Sequence, residues 1–302
     1  MRSIRWAFAV LAAMLCLAGA RAEDKLWTED FAAALEKAEK DKKDVLLDFT
    51  GSDWCHWCVQ LKGEVFDQEA FKKAAPEHFV LVELDFPRGK EQNEAVKQQN
   101  KMLAQTFGIE GFPTVILLDG KGRPYAKTGY QPGGAEKFLE HLAGLRQKRA
   151  ARDELFAKAD AAQGAEKAKH LDEALQTVSA QVGSLAGYDE VVEQILAADA
   201  ENQGGFKTKY GGLKTLKDLE SEHAKGAETA AVMAKLDEFL AETKPAGDLL
   251  QRALLQKAML LNDVRVKEMV ANLKQALAAA PEGPKAQEIQ GILMQLGAQP
   301  DQ

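Results

Sequence analysis

Val45-Leu46-Leu47-Asp48-Phe49-Thr50-Gly51-Ser52-Asp53-Trp54-Cys55-His56-Trp57-Cys58 is the stretch on which the reading of this chain turns. Its first six residues form a short apolar run, the pattern of a buried strand. Gly51-Ser52-Asp53 interrupts that run, and a helix is expected over Cys58–Ala75. A pair of cysteines two residues apart, placed where a strand gives way to a helix, sits at the positive end of a helix dipole. The free N–H groups there favour the thiolate, which is the reactive form of cysteine. A spacing of three brings both sulfurs to one face within bonding distance. Cys55, at the tip, is the expected exposed nucleophile, and Cys58, one turn in, is placed to attack the mixed disulfide from inside.

Outward from this stretch, apolar runs alternate with helical periodicity. Thr28–Asp41 reads as a helix capped by Thr28, with Phe31, Leu35 and Ala38 on one face. Phe79–Phe86 is a second strand, Glu91–Thr106 a helix ended by Gly108, and Thr114–Leu118 a third strand. Asp119-Gly120-Lys121-Gly122 is a hairpin turn into a fourth strand, Pro124–Thr128, and Gly134–Leu145 is a closing helix. This order mixes a crossover with a terminal hairpin. It predicts an α/β fold: a mixed central sheet flanked on both faces by helices.

The remainder differs in composition. No proline occurs between Pro132 and Pro245, and residues 151–302 contain neither Cys nor Trp but abound in Ala, Leu, Lys, Glu and Gln. Those are strong helix formers. Expected helices are Arg152–Ala162, Glu166–Val182, Tyr188–Ala198, Leu213–Lys225, Ala227–Thr243, Gly247–Leu261, Val264–Ala280 and Lys285–Leu296. The boundary falls near Arg146–Arg152, where a charged helix is expected to join the halves, giving an α/β domain over 23–150 and an all-α domain over 151–302, either a bundle or a helical-hairpin array.

The first 22 residues stand apart. Arg2 and Arg5 precede an apolar run from Trp6 to Ala18, and Ala20-Arg21-Ala22 supplies small residues at both positions a signal peptidase reads. The run is shorter than the ~20 residues a membrane-spanning helix needs. A signal peptide over 1–22 is expected, and with it export to the periplasm or beyond, leaving no membrane attachment. Its three arginines and Cys16 leave with it, so the formal charge falls from −7 to −10 and Cys55 and Cys58 are the only cysteines retained. So small a closed loop constrains the unfolded chain little, so the pair is better suited to chemistry than to stapling. The acidic balance argues against nucleic acid as a partner.

Two cysteines at this spacing have other possible uses. A structural zinc needs about four ligands, and the chain offers no second cysteine pair and no histidine at metal spacing. Attachment of c-type haem needs His directly after the second cysteine, where Val59 stands. No metal and no cofactor is expected beyond the cysteine pair itself. An inert structural disulfide is the remaining alternative.

A second feature is Gly111-Phe112-Pro113-Thr114 before the strand TVILL, where proline, lacking an N–H, belongs at a strand start. Together, VLLDFTGSDWCHWC, FVLVELDF and GIEGFPTVILLDGKG resemble the thioredoxin superfamily over about residues 25–148, in the flavour of exported members with Trp-Cys-x-x-Cys and a long helical extension. The resemblance implies a cis Pro113 facing the cysteines and a Phe112 backbone that pairs with an extended substrate peptide. It also implies that Asp48 is the buried acid that takes a proton from the resolving cysteine. One residue more than usual separates Asp48 from Cys55, which puts the placement of its carboxylate in question. A carboxylate inside an apolar strand is costly without a task or partner. His56 and Trp57 replace the usual Gly-Pro. Protonated His56 would stabilise the Cys55 thiolate, and Trp54 and Trp57 offer an apolar contact surface for substrate.

The expected function is thiol–disulfide exchange with protein thiols and disulfides: Cys55 attacks, Cys58 resolves, Asp48 relays protons and Pro113 positions the substrate. The rival reading is a non-enzymatic binding module, or a redox sensor, whose helical domain holds a protein partner. Reductase, oxidase and isomerase share this site, so the direction of exchange is left open.

Overall fold

The computed structural model describes residues 26–182, 185–261 and 266–298; the expected signal peptide, with Cys16 and Ala22, lies outside the described residues. Five strands form one mixed sheet: β1 (Trp27–Thr28), β2 (Asp44–Thr50), β3 (Phe79–Asp85), β4 (Thr114–Leu118) and β5 (Pro124–Thr128), in the order β1-β3-β2-β4-β5. β2 is central, parallel to β3 and antiparallel to β4, and all seven of its residues are buried. That burial on both faces is why its sequence runs apolar without alternating.

Helices cover both faces. Val45, Leu47 and Phe49 point to one side, beneath α1 (Phe31–Asp41) and α4 (Glu94–Thr106), in a core with Ala34, Ala38 and Leu103. Leu46 points to the other, beneath α2 (His56–Leu61), a π-helical turn (Lys62–Phe66), α3 (Glu69–His78) and α5 (Gly134–Ala161). The period of two along β2 therefore also places Asp48 on the α2 side.

Several local expectations are corrected. Thr28 does not cap α1. It pairs with Val82 as part of β1, and the cap is Asp30, whose carboxylate accepts the Ala33 N–H at 3.0 Å. The helix expected over Cys58–Ala75 starts earlier and is broken. Cys55 is its N-cap, and the wider π turn at Lys62–Phe66 lets Leu61, Val65 and Phe66 all reach the core. α3 then continues through Pro76 to His78. α4 starts at Glu94, capped by Asn93, and not at Glu91. The helices expected at Gly134–Leu145 and Arg152–Ala162 are not separate: they merge through the charged joining segment expected at Arg146–Arg152 into one continuous helix of 28 residues, α5.

Beyond α5 follow α6 (Gly164–Val182), α7 (Asp189–Ala198), α8 (Phe206–Ala224), α9 (Thr229–Thr243), α10 (Gly247–Leu260), α11 (Val266–Ala279) and α12 (Ala286–Gln295). Three apolar clusters succeed one another along them. One is built on Leu171, Tyr188 and Ile195, the next on Leu216, Leu236 and Leu249, and the last on Leu255, Leu273 and Ile289. The array meets the sheet at the β4–β5 turn, where the Tyr188 hydroxyl donates to the Pro124 carbonyl at 2.8 Å and Arg152 reaches Asp119 at 2.8 Å. β4 runs antiparallel to β2, so this junction lies at the sheet end opposite Cys55.

Candidate active site

Strand β2 ends at Thr50, and the chain folds back at once: the Cys55 N–H donates to the Gly51 carbonyl at 2.9 Å. Gly51 is needed there, because a Cβ on it would lie 2.6 Å from the Trp54 indole. Cys55 has extended backbone, φ −89° and ψ 107°, and its Sγ accepts the Cys58 N–H at 3.2 Å. The sulfur thus occupies the position in which Ser or Asp usually caps a helix. Cys55 and Cys58 form a disulfide with 5.2 Å between their Cα atoms, and the Gly51 N–H points at Cys58 Sγ from 3.5 Å. Cys55 is less exposed than the sequence suggests, at 7% against 3% for Cys58. It remains the more accessible of the two.

Pro113 follows Phe112 through a cis peptide bond. The next residue, Thr114, pairs with Phe49 at the carboxyl end of β2, so this loop stands at the cysteine end of the sheet. The loop is packed closely: a Cβ on Gly129 would lie 2.9 Å from the Pro113 carbonyl. Phe112 meets Trp54 edge-to-face at 5.7 Å between ring centroids.

The expected contact residues form two aromatic walls. Trp54 stands with Phe112 and Phe86, its Nε1–H donating to the Phe86 carbonyl at 2.8 Å and the Arg88 guanidinium lying 3.8 Å over its ring. Trp57, half exposed at 53%, stands with His56 and packs 5.3 Å from Tyr130. The Tyr130 hydroxyl donates to Glu64 at 2.7 Å and accepts from Gln60 at 3.0 Å, which ties the loop after β5 to the active-site helix. The Tyr130 bond, together with one that the Gln60 amide donates to Glu64 at 2.9 Å, holds the Glu64 carboxyl below the usual carboxylate range.

The β3–α4 loop closes the first wall. Asp53 accepts the N–H groups of Arg88 and Gly89, at 3.0 and 2.6 Å, and these bonds hold its carboxyl below its ordinary range. Asp85 accepts from Ser52 N–H and Oγ at 2.9 and 2.6 Å. No motif in the sequence marks Arg88, Tyr130, Gln60 or Glu64. Only the loop carrying Arg88 left a signal, because it follows the carboxyl end of a strand parallel to β2.

Asp48 is buried, with 5% exposure, and its Oδ1 has no hydrogen-bond partner. Burial, reinforced by the charge of Glu83, pushes its carboxyl up to about 8 despite the opposing Lys62 cation. Among the described residues no group of three His, Cys, Asp or Glu side chains could hold a metal ion.

A family model described as a thioredoxin-like domain matches residues 31–144. Disulfide bond reductase DsbH of Chlamydia pneumoniae is 36% identical over 114 residues, which cover 38% of this chain and 69% of that protein. Thioredoxin-related protein DsbJ of the same organism is 33% identical over 104 residues, 34% of this chain and 30% of that one. A solved structure titled DsbH Oxidoreductase shares 34% identity across 39% of this chain and 82% of its own, with a TM-score of 0.38. The residues matched by the family model contain Asp48, Cys55, Cys58 and Pro113, so kinship and geometry fall on the same stretch: the chain belongs to the thioredoxin-like family, as a thiol–disulfide oxidoreductase.

Proposed function

We propose that this protein is an exported reductase of protein disulfides working through Cys55 and Cys58. The observation that carries the reading is a closed cysteine pair at a helix start, with an unpartnered, buried Asp48 on the same side of the sheet. The Cys55 thiolate attacks one sulfur of the substrate disulfide; the other leaves as a thiolate and takes a proton from water. The Cys58 thiol then gives its proton to the Asp48 carboxylate. The Cys58 thiolate attacks Cys55 Sγ and releases the second substrate sulfur, which is protonated in turn. Two electrons pass from the enzyme dithiol to the substrate, and a dithiol donor restores the pair.

The Cys58 N–H, already aimed at Cys55 Sγ, would stabilise its thiolate. The backbone of Phe112, before cis Pro113, would pair with the extended substrate, while Trp54, His56 and Trp57 would contact residues beside its cysteine. The reducing direction is supported by the name of the relative DsbH. Export is supported by the sequence of residues 1–22 and is compatible with the described helices, none of which is long and apolar enough to cross a membrane.

The test is Cys58→Ser, which leaves Cys55 able to attack and removes the resolving thiol. Mixed disulfides between the reduced variant and disulfide-bearing proteins should accumulate in the exported fraction, and wild type should reduce insulin when recycled by dithiothreitol. Absence of both adducts and insulin reduction would reject the reading.

A further inference from the structure

The Asp48 side chain faces only a few charged groups. β2 and β3 are parallel with Asp48 in register with Glu83, and the next residue on that face of β3 is Asp85. On the β4 side its register partner is the apolar Val115. The overlying helix contributes Cys58, Leu61 and Val65, which are buried, and Lys62 at the start of the π turn. Asp85 is already engaged, accepting from Ser52 N–H and Oγ. Glu83 is different: its side chain is 30% exposed, lies at the rim of the buried site and is met by Lys62 Nζ at 3.6 Å. A negative and a positive side chain thus stand together beside a buried carboxyl that has an unpartnered oxygen.

We propose that Glu83 and Lys62 are a pair of positioning residues that set the proton affinity of Asp48 in opposite senses. Glu83 makes it harder for Asp48 to lose its proton, because two like charges on adjacent strands repel in a poorly solvated setting. Lys62 makes the loss easier, both by its own charge and by offsetting that of Glu83. On top of the rise that burial imposes, the pair therefore shifts the pH at which Asp48 becomes a base able to deprotonate Cys58. Neither side chain touches substrate sulfur; both act through Asp48, and the inference rests on the proton-transfer role proposed for it above. Burial alone would raise the Asp48 carboxyl, and the arrangement of charges agrees in sign with this division, Glu83 raising it and Lys62 lowering it.

The test is a carbon-13 carboxyl titration of the full-length oxidised protein, with the Asp48 resonance identified by its loss in Asp48→Asn. Glu83→Gln should move the Asp48 inflection down by about half a pH unit or more, and Lys62→Gln should move it up by a similar amount. Both side chains are partly solvated, so each variant keeps the core intact. The pH profile of insulin reduction should move the same way in each variant. An inflection that stays in place in both variants, or moves in the same direction in both, overturns the proposal. Inflections that move as stated without any insulin reduction would uphold the tuning pair and reject the reductase reading. Insulin reduction with unmoved inflections would reject the tuning pair alone.

Discussion

At its carboxyl end β2 buries Asp48 with an unpartnered oxygen; at its amino end it buries Asp44 among partners. The Tyr125 hydroxyl donates to Asp44 at 2.8 Å, Arg146 Nε does so at 3.2 Å, and Arg149 adds an ion pair. At that same end Asp119 accepts from Arg123 and from Arg152, itself 1% exposed, at 2.8 Å each. Burial opposes ionisation of Asp119, but the Arg152 and Arg123 guanidiniums more than offset it and hold its carboxyl below the usual range. One strand thus supports two kinds of buried acid. Where cations surround it, the acid fastens α5 and the helical array to the sheet. Where they do not, it keeps a proton that can be exchanged near neutral pH. The lesson is that burial alone does not assign a role to a carboxylate; its partners do.

The comparison breaks most visibly at Arg152. Arg152→Met leaves Asp119 buried without its main counter-charge and removes a donor to the Tyr188 hydroxyl at 2.7 Å. Breaking such a pair costs about 3–5 kcal/mol. Denaturant unfolding should show that loss, while insulin reduction by the folded variant should be unchanged, because the lesion is at the far end of the sheet. Loss of reduction in folded Arg152→Met would mean that the two ends are coupled.

Asp48→Asn should act in the opposite way. Asp48 is raised from its ordinary range to about 8 on folding. The folded protein therefore binds more protons than the unfolded chain between about pH 4 and pH 8. Stability contributed by the neutral form is present at low pH and is lost as pH rises through that window, by at most about 1.4 kcal/mol per pH unit. Asp48→Asn should lack this decline, so its advantage over wild type should grow from pH 5 to pH 8, reaching a few kcal/mol. Its insulin reduction at pH 7 should fall by roughly 100-fold, the lower range for loss of a general base, and recover as pH rises. A variant no more stable at pH 8 than at pH 5, relative to wild type, would contradict the unpaired state of Asp48.

Much of this was legible in the sequence because the signals were local. The apolar run 45–50, the cysteine pair beside a glycine turn and the proline before TVILL each state their own geometry, and strands β2, β4 and β5 start or end within a residue of where the pattern placed them. The errors arose where a distant partner decided. Thr28 has the side chain of a helix cap, but the edge of β3 captures it. The π turn answers to the core beneath Leu61, Val65 and Phe66, which no window along the helix reveals. Arg88 and Tyr130 reach the site from loops 33 and 75 residues beyond Cys55, and side chains such as these carry no motif. Likewise, Glu83 gains its meaning only once the register of β2 against β3 sets it beside Asp48.

The most direct measurement is a redox titration of the Cys55–Cys58 pair in the folded protein, against dithiol–disulfide buffers with alkylation of free thiols. A single two-electron transition nearer the roughly −270 mV of a reducing dithiol than the −120 mV of a strong oxidant is expected. A pair that stays oxidised below about −300 mV, the range of structural disulfides, would contradict the assignment of these two cysteines to disulfide exchange.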